Sequence, residues 1–186
     1  MRTNMLPPIS PIKNRSVLKQ LSRLPNDVQQ LSKHVGKISN SITKTARGNG
    51  TGVLISEDVF MIARHCLSSG KPKFVQFNAT NSFYDQGLTF NVLEEIDIHS
   101  PTARGLGIKT DPYGDIALLK IAPLNGELPG KIFGFTPIHK CPLPQANDLI
   151  YYIGHSSGSH QKVSTESSEI RMPLIDAINS DIELDG

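Results

Sequence analysis

The sequence predicts an all-β protein carrying a short helical arm at its amino end. Three observations lead there. From about Ile38 onward, strand-length apolar pieces alternate with separators rich in Gly, Asn, Asp, Ser and Pro. No long helical stripe lies between those pieces, which argues against a parallel sheet built from βαβ units. The chain also holds 15 Gly and 13 Pro against 7 Phe, 4 Tyr and no Trp, and Gly and Pro both penalise helix interiors. A β-barrel or a β-sandwich satisfies all three observations.

The bulk composition fits one ordinary domain. Of 186 residues, 38% are hydrophobic and 19% charged, enough apolar material for a core and too little charge for a disordered chain. No uninterrupted apolar run approaches the roughly 18 residues that a membrane-spanning helix needs. The net charge of +2 hides a split, because residues 1–50 carry nine basic side chains and one acid, Asp27. The basic residues are spaced, with no aromatics among them to stack on bases. That pattern fits a solvated arm and not a nucleic-acid interface.

Taken in order, the first dozen residues contain Pro7, Pro8 and Pro11 and read as a lead without regular helix. Val17, Leu21, Leu24, Val28, Leu31 and Val35 then recur at alternating steps of four and three, an amphipathic helical stripe. Pro25 interrupts it, so two short helices are expected, the second starting near Asn26 or Asp27. Residues 1–37 therefore form a basic, partly helical extension, either packed on the domain or acting as a pro-segment or docking element. The amino end lacks the apolar stretch of a secretory signal, which implies a cytoplasmic protein or one exported by another route.

The strand-length pieces follow at residues 52–55, 59–62, 73–77, 88–92, 116–121 and 149–153, with several more between 162 and 178. Two of them carry chemistry at their ends. Gly48-Asn49-Gly50-Thr51-Gly52-Val53-Leu54-Ile55 is a glycine-rich entry and a strand, followed by a turn. The next strand, Val59-Phe60-Met61-Ile62-Ala63, ends in Arg64-His65-Cys66-Leu67. Fifty residues past His65, Asp111-Pro112-Tyr113-Gly114-Asp115 opens the apolar run Ile116-Ala117-Leu118-Leu119-Lys120-Ile121. A carboxylate at the mouth of a buried strand can lie semi-buried, hold an imidazole Nδ1–H and stabilise the imidazolium. Taken alone, a histidine at a strand end and an aspartate before a strand are ordinary features; their order and context are what distinguish them.

Gly-Thr-Gly-Val-Leu-Ile…Ile-Ala-Arg-His-Cys and Gly-Asp-Ile-Ala-Leu-Leu together resemble the motifs of the trypsin-like, chymotrypsin-fold serine endopeptidases, and look closest to the bacterial branch of glutamyl endopeptidases and HtrA-type proteases. Asp148-Leu149-Ile150-Tyr151-Tyr152-Ile153-Gly154 is similar to the strand that opens that family's second barrel, with His155-Ser156 in place of the usual ending. The resemblance covers residues 38–186. It implies a two-barrel fold, with a first barrel over 38–123, a connector, and a partial second barrel over 142–186. It also implies His65 as catalytic base, Asp115 as its orienting carboxylate, a protein or peptide substrate, and neither cofactor nor metal.

The family nucleophile sits in Gly-x-Ser-Gly, and no such motif occurs in the 186 residues. Ser180 lacks that context and is not a substitute. The resemblance therefore leads us to expect the nucleophile just beyond Gly186, in a chain cut short; a degenerate protease serving as a binding or scaffold module is the competing reading. Gly154-His155-Ser156-Ser157-Gly158 fits the nucleophile elbow of α/β-hydrolases, which makes Ser156 a rival nucleophile. That elbow needs a helix directly after it and a later histidine from a separate loop. Ser159-His160-Gln161-Lys162-Val163-Ser164 supplies neither.

In the resembling family a cysteine beside the catalytic histidine forms a disulfide with an upstream partner. Here Cys66 has no upstream cysteine, and Cys141 is its one possible partner. A bridge or two reduced thiols both remain open. Cys66 is not expected to act as nucleophile, since neighbours on a strand face opposite ways. His99, His139, His155 and His160 show no His-Glu-x-x-His pairing for a metal. The residues that would line a specificity pocket lie beyond these motifs, so the preferred P1 side chain is not read from the sequence.

Overall fold

A computed structural model describes residues 25–41, 50–68, 70–77, 87–106, 114–140, 145, 149–155, 161–163 and 168–169. Helix α1 (Asn26–Lys33) starts directly after Pro25, with Asp27 in its first turn and Lys33 in its last, both favourable to the helix dipole. Strands β1 (Val35–Ser39), β2 (Gly50–Leu54), β3 (Val59–Ala63), β4 (Phe74–Phe77), β5 (Leu88–Ile96) and β6 (Ile116–Ile121) come next in the chain. They close into one barrel in the order β1-β2-β3-β6-β5-β4, and every pairing is antiparallel. Closure leaves this barrel no free edge for aggregation.

The alternation of side chains along each strand explains the packing. Ile38, Leu54, Phe60, Ile62, Val75, Phe77, Phe90, Ala117, Leu119 and Ile121 point inward and form the barrel core. On β3 and β6 the outward residues Val59 and Leu118 are buried as well, in a second cluster with Ile55 and Ala103. Both faces of these two strands are covered, which is why their sequences are almost continuously apolar. Ala103 belongs to a short helix α2 (Pro101–Gly105), started by the Ser100 side chain, which accepts the Ala103 N–H. Helix α3 (Pro129–Phe133) brings Phe133 to the barrel, where its ring lies 5.3 Å from Phe77 and 6.2 Å from Phe90.

Two features differ from the sequence expectation. Val35 continues the helical spacing, yet it opens strand β1, so residues 35–37 pair with β2 and β4 instead of extending the arm. The spacing alone could not reveal that the barrel needs β1 to close. The apolar run 149–153 is also two elements: β7 (Leu149–Ile150) pairs with β10 (Ser168–Glu169), and β8 (Ile153–Gly154) pairs with β9 (Lys162–Val163). Tyr151 and Tyr152 form the break between them. These two small ribbons are the strand pairings that the described residues contain outside the closed barrel. The remaining apolar pieces expected beyond residue 169, and Cys141, Ser156, His160 and Ser180, lie outside the described residues.

Candidate active site

The site forms where β3 and β6 end side by side. Their register pairs Ala63 with Ile116, and the next ladder bond runs from the Arg64 N–H to the Asp115 carbonyl at 2.7 Å. Gly114 has φ +64, a left-handed conformation that glycine adopts without penalty, and it sets up the turn into Asp115. After Ala63 the chain coils into one 3-10 turn, Arg64–Leu67. This turn brings the His65 backbone N–H to 2.9 Å from Asp115 Oδ1.

The His65 ring meets the same carboxylate. Its Nδ1 lies 3.0 Å from Oδ1 and 3.0 Å from Oδ2. A carboxylate can only accept, so Nδ1 carries the proton and donates it, which leaves Nε2 as the acceptor in the neutral ring. The Asp115 carboxyl is held below the usual aspartate range, first by the His65 backbone N–H and then by the ring N–H. Both residues are open to solvent, with 71% of the His65 side chain and 50% of that of Asp115 exposed. Asp115 is therefore not semi-buried as the strand-mouth argument expects: it stands at the barrel rim, and burial begins only with the strand residues after it. Beside the pair, Arg64 Nη1 reaches Glu95 Oε1 on β5 at 2.8 Å.

Cys66 belongs to the 3-10 turn and not to a strand, so the strand argument for its orientation does not apply. It packs against the barrel core with Leu67. A Cβ added at Gly50 would stand 2.7 Å from its Sγ, so glycine at that position makes room for the thiol. Burial and the Asp115 charge push the Cys66 thiol up, which disfavours the thiolate a nucleophile needs. Cys66 is a free thiol.

His99 and His155 make their own separate contacts. The His99 N–H donates to Asp97 Oδ1 at 2.9 Å, and the His155 N–H donates to Thr51 Oγ1 at 2.9 Å. Among the described residues no three His, Cys, Asp or Glu side chains come together as a metal site, and no helix is long and apolar enough to cross a membrane. The sequence motifs named both members of the His65–Asp115 pair. They did not reveal that the His65 backbone N–H also bonds the carboxylate.

No protein-family model and no curated protein sequence matches the chain. Solved structures do. The MamO protease domain from Magnetospirillum magneticum, in its apo form, superposes with a TM-score of 0.52 at 15% identity, over 76% of this chain and 62% of that one. The fold is chymotrypsin-like. Kallikrein-related peptidase 10 in complex with Zn²⁺ gives a TM-score of 0.47 at 17% identity, covering 81% of this chain and 63% of that chain. The thermostable serine protease AL20 from an extremophilic microorganism gives 0.47 at 15%, covering 74% and 67%. The chain thus spans about three-fifths of the MamO protease domain. The α/β-hydrolase alternative with Ser156 requires a strand-elbow-helix on a largely parallel sheet, and it is excluded by an all-antiparallel closed barrel.

Proposed function

We propose that the chain is part of a serine-type endopeptidase and that His65 and Asp115 are its general base and orienting carboxylate. The observation that carries the proposal is the bond from His65 Nδ1 to both oxygens of Asp115, at 3.0 Å each. In this reading Nε2 takes the proton of a serine hydroxyl as that oxygen attacks a peptide carbonyl. The imidazolium is stabilised by Asp115 and returns the proton to the leaving amine, and water then releases the acyl group by the same exchange. The substrate is a protein or peptide, and the chemistry asks for neither cofactor nor metal. The motifs around His65 and Asp115 favour the glutamyl endopeptidase or HtrA-type branch, with the peptidase unit continuing from the first barrel through the ribbons after residue 142.

A fold alone does not fix a function, and the 186 residues contain no Gly-x-Ser-Gly. That absence favours a second reading, a non-catalytic binding module on the same fold. It also predicts that these residues by themselves cleave no peptide and that no serine in them labels with a fluorophosphonate probe. Strong labelling of any serine in the chain would contradict the assignment of the nucleophile to residues outside it. Asp115→Asn tests the role given to the carboxylate. In any form of the protein that hydrolyses peptides, it should lower kcat about 10⁴-fold, because an amide can hold the wrong tautomer of the ring. Undiminished turnover in that variant would remove Asp115 from the mechanism.

A further inference from the structure

Gln161, at the entry to β9, is 6% exposed and reaches residues more than a hundred positions away. Its Nε2 donates to the Ser32 carbonyl at 2.6 Å and to the Val35 carbonyl at 3.2 Å. Two carbonyl oxygens can be met only by N–H groups, so this orientation of the amide is forced. Ser32 lies in the last turn of α1, where its carbonyl also receives the His34 N–H that caps the helix. Val35 is the first residue of β1. One side chain therefore ties the β8–β9 ribbon to the junction of helix and barrel.

The same junction is held from three sides. Val28 of α1 packs with Val163 and Ile153 of the ribbon, and with Tyr151 just before it, in one apolar cluster. His34 Nδ1 lies 2.8 Å from Thr136 Oγ1, in the segment after α3. On the barrel side, the His155 N–H, one residue past β8, donates to Thr51 on β2.

We propose that α1 is a latch for the β8–β9 ribbon: with Gln161 it holds that ribbon against the first barrel, and displacing α1 releases it. The proposal is independent of the chemistry assigned to His65.

Coupling of this kind is reciprocal, so a change made on either element must be felt on the other. Amide hydrogen exchange is followed by mass spectrometry on the full chain and on two variants. Gln161→Leu removes the donor that the Ser32 and Val35 carbonyls share, and exchange in 26–33 and 153–163 should speed up about tenfold or more. Val28→Ala, made on the helix, should speed exchange in 153–163 on the ribbon. Strands 59–63 and 116–121 should keep their protection in both. Acceleration confined to the mutated element would overturn the latch, and so would equal acceleration throughout the chain. If Gln161→Leu does not fold, the milder Val28→Ala carries the test alone.

Discussion

Among single residues, the His65–Asp115 pair owes its geometry to backbone as much as to side chains. The largest influence on the Asp115 carboxyl is the His65 backbone N–H, and the ring comes second. Replacing His65 by Ala removes only the second. The carboxyl should therefore still titrate below the ordinary aspartate value of about 3.9 in His65→Ala, as followed by side-chain carboxyl NMR, and a full return to that value would contradict the primacy of the backbone N–H. Because the folded carboxyl is depressed, its contribution to stability is present above about pH 4 and is lost as pH falls through its folded-state value. His34 behaves in the opposite chemical sense. Burial, then the neighbouring Lys33 charge, lower its pKa, so the fold holds the neutral ring. Its contribution is complete above the unfolded value of about 6.5 and is lost as pH falls from there toward the lower folded value. Urea midpoints at pH 7.5 and 5.5 should therefore differ less in His34→Gln than in the unaltered chain; an unchanged difference would show that His34 takes no part.

At the scale of elements, close approach between strands sets what the sequence can tolerate. A Cβ at Gly52 would run into the Met61 carbonyl on β3 and the Phe60 ring. Gly52→Ala should therefore destabilise the chain by about 1–3 kcal/mol, the usual range for overpacking, as read from urea unfolding; a neutral substitution would mean that the barrel wall yields there. Five of the six barrel strands were legible in the sequence, because β2, β3, β4, β5 and β6 carry apolar residues between turn signals. Strand β1 was not. Val35-Gly36-Lys37-Ile38-Ser39 has a glycine and a lysine inside it and begins on the period of the preceding helix. What makes it a strand is pairing on both sides, Gly36 with Gly52 and with Phe77. Short helices α2 and α3 were equally hidden, since each has five residues and starts at a proline. The chain around 149–154 misled for a related reason: its apolar run continues through a point where the strand changes partners.

At the scale of the whole molecule, the site was more legible than the fold around it. His65 and Asp115 are fifty residues apart, and the sequence placed both at strand ends; the β3–β6 pairing turns that into adjacency. What sequence could not supply was depth, because solvent exposure depends on everything packed around the rim. The central claim is that Asp115 holds His65 as a base with Nε2 free to accept a proton. The ¹⁵N spectrum of the His65 ring at alkaline pH, in the unaltered chain and in Asp115→Ala, tests this. The proton is expected on Nδ1 in the unaltered chain, with a shift toward the Nε2-protonated tautomer, the commoner form of free imidazole side chains, once the carboxylate is gone. A ring already protonated on Nε2 in the unaltered chain would contradict the claim.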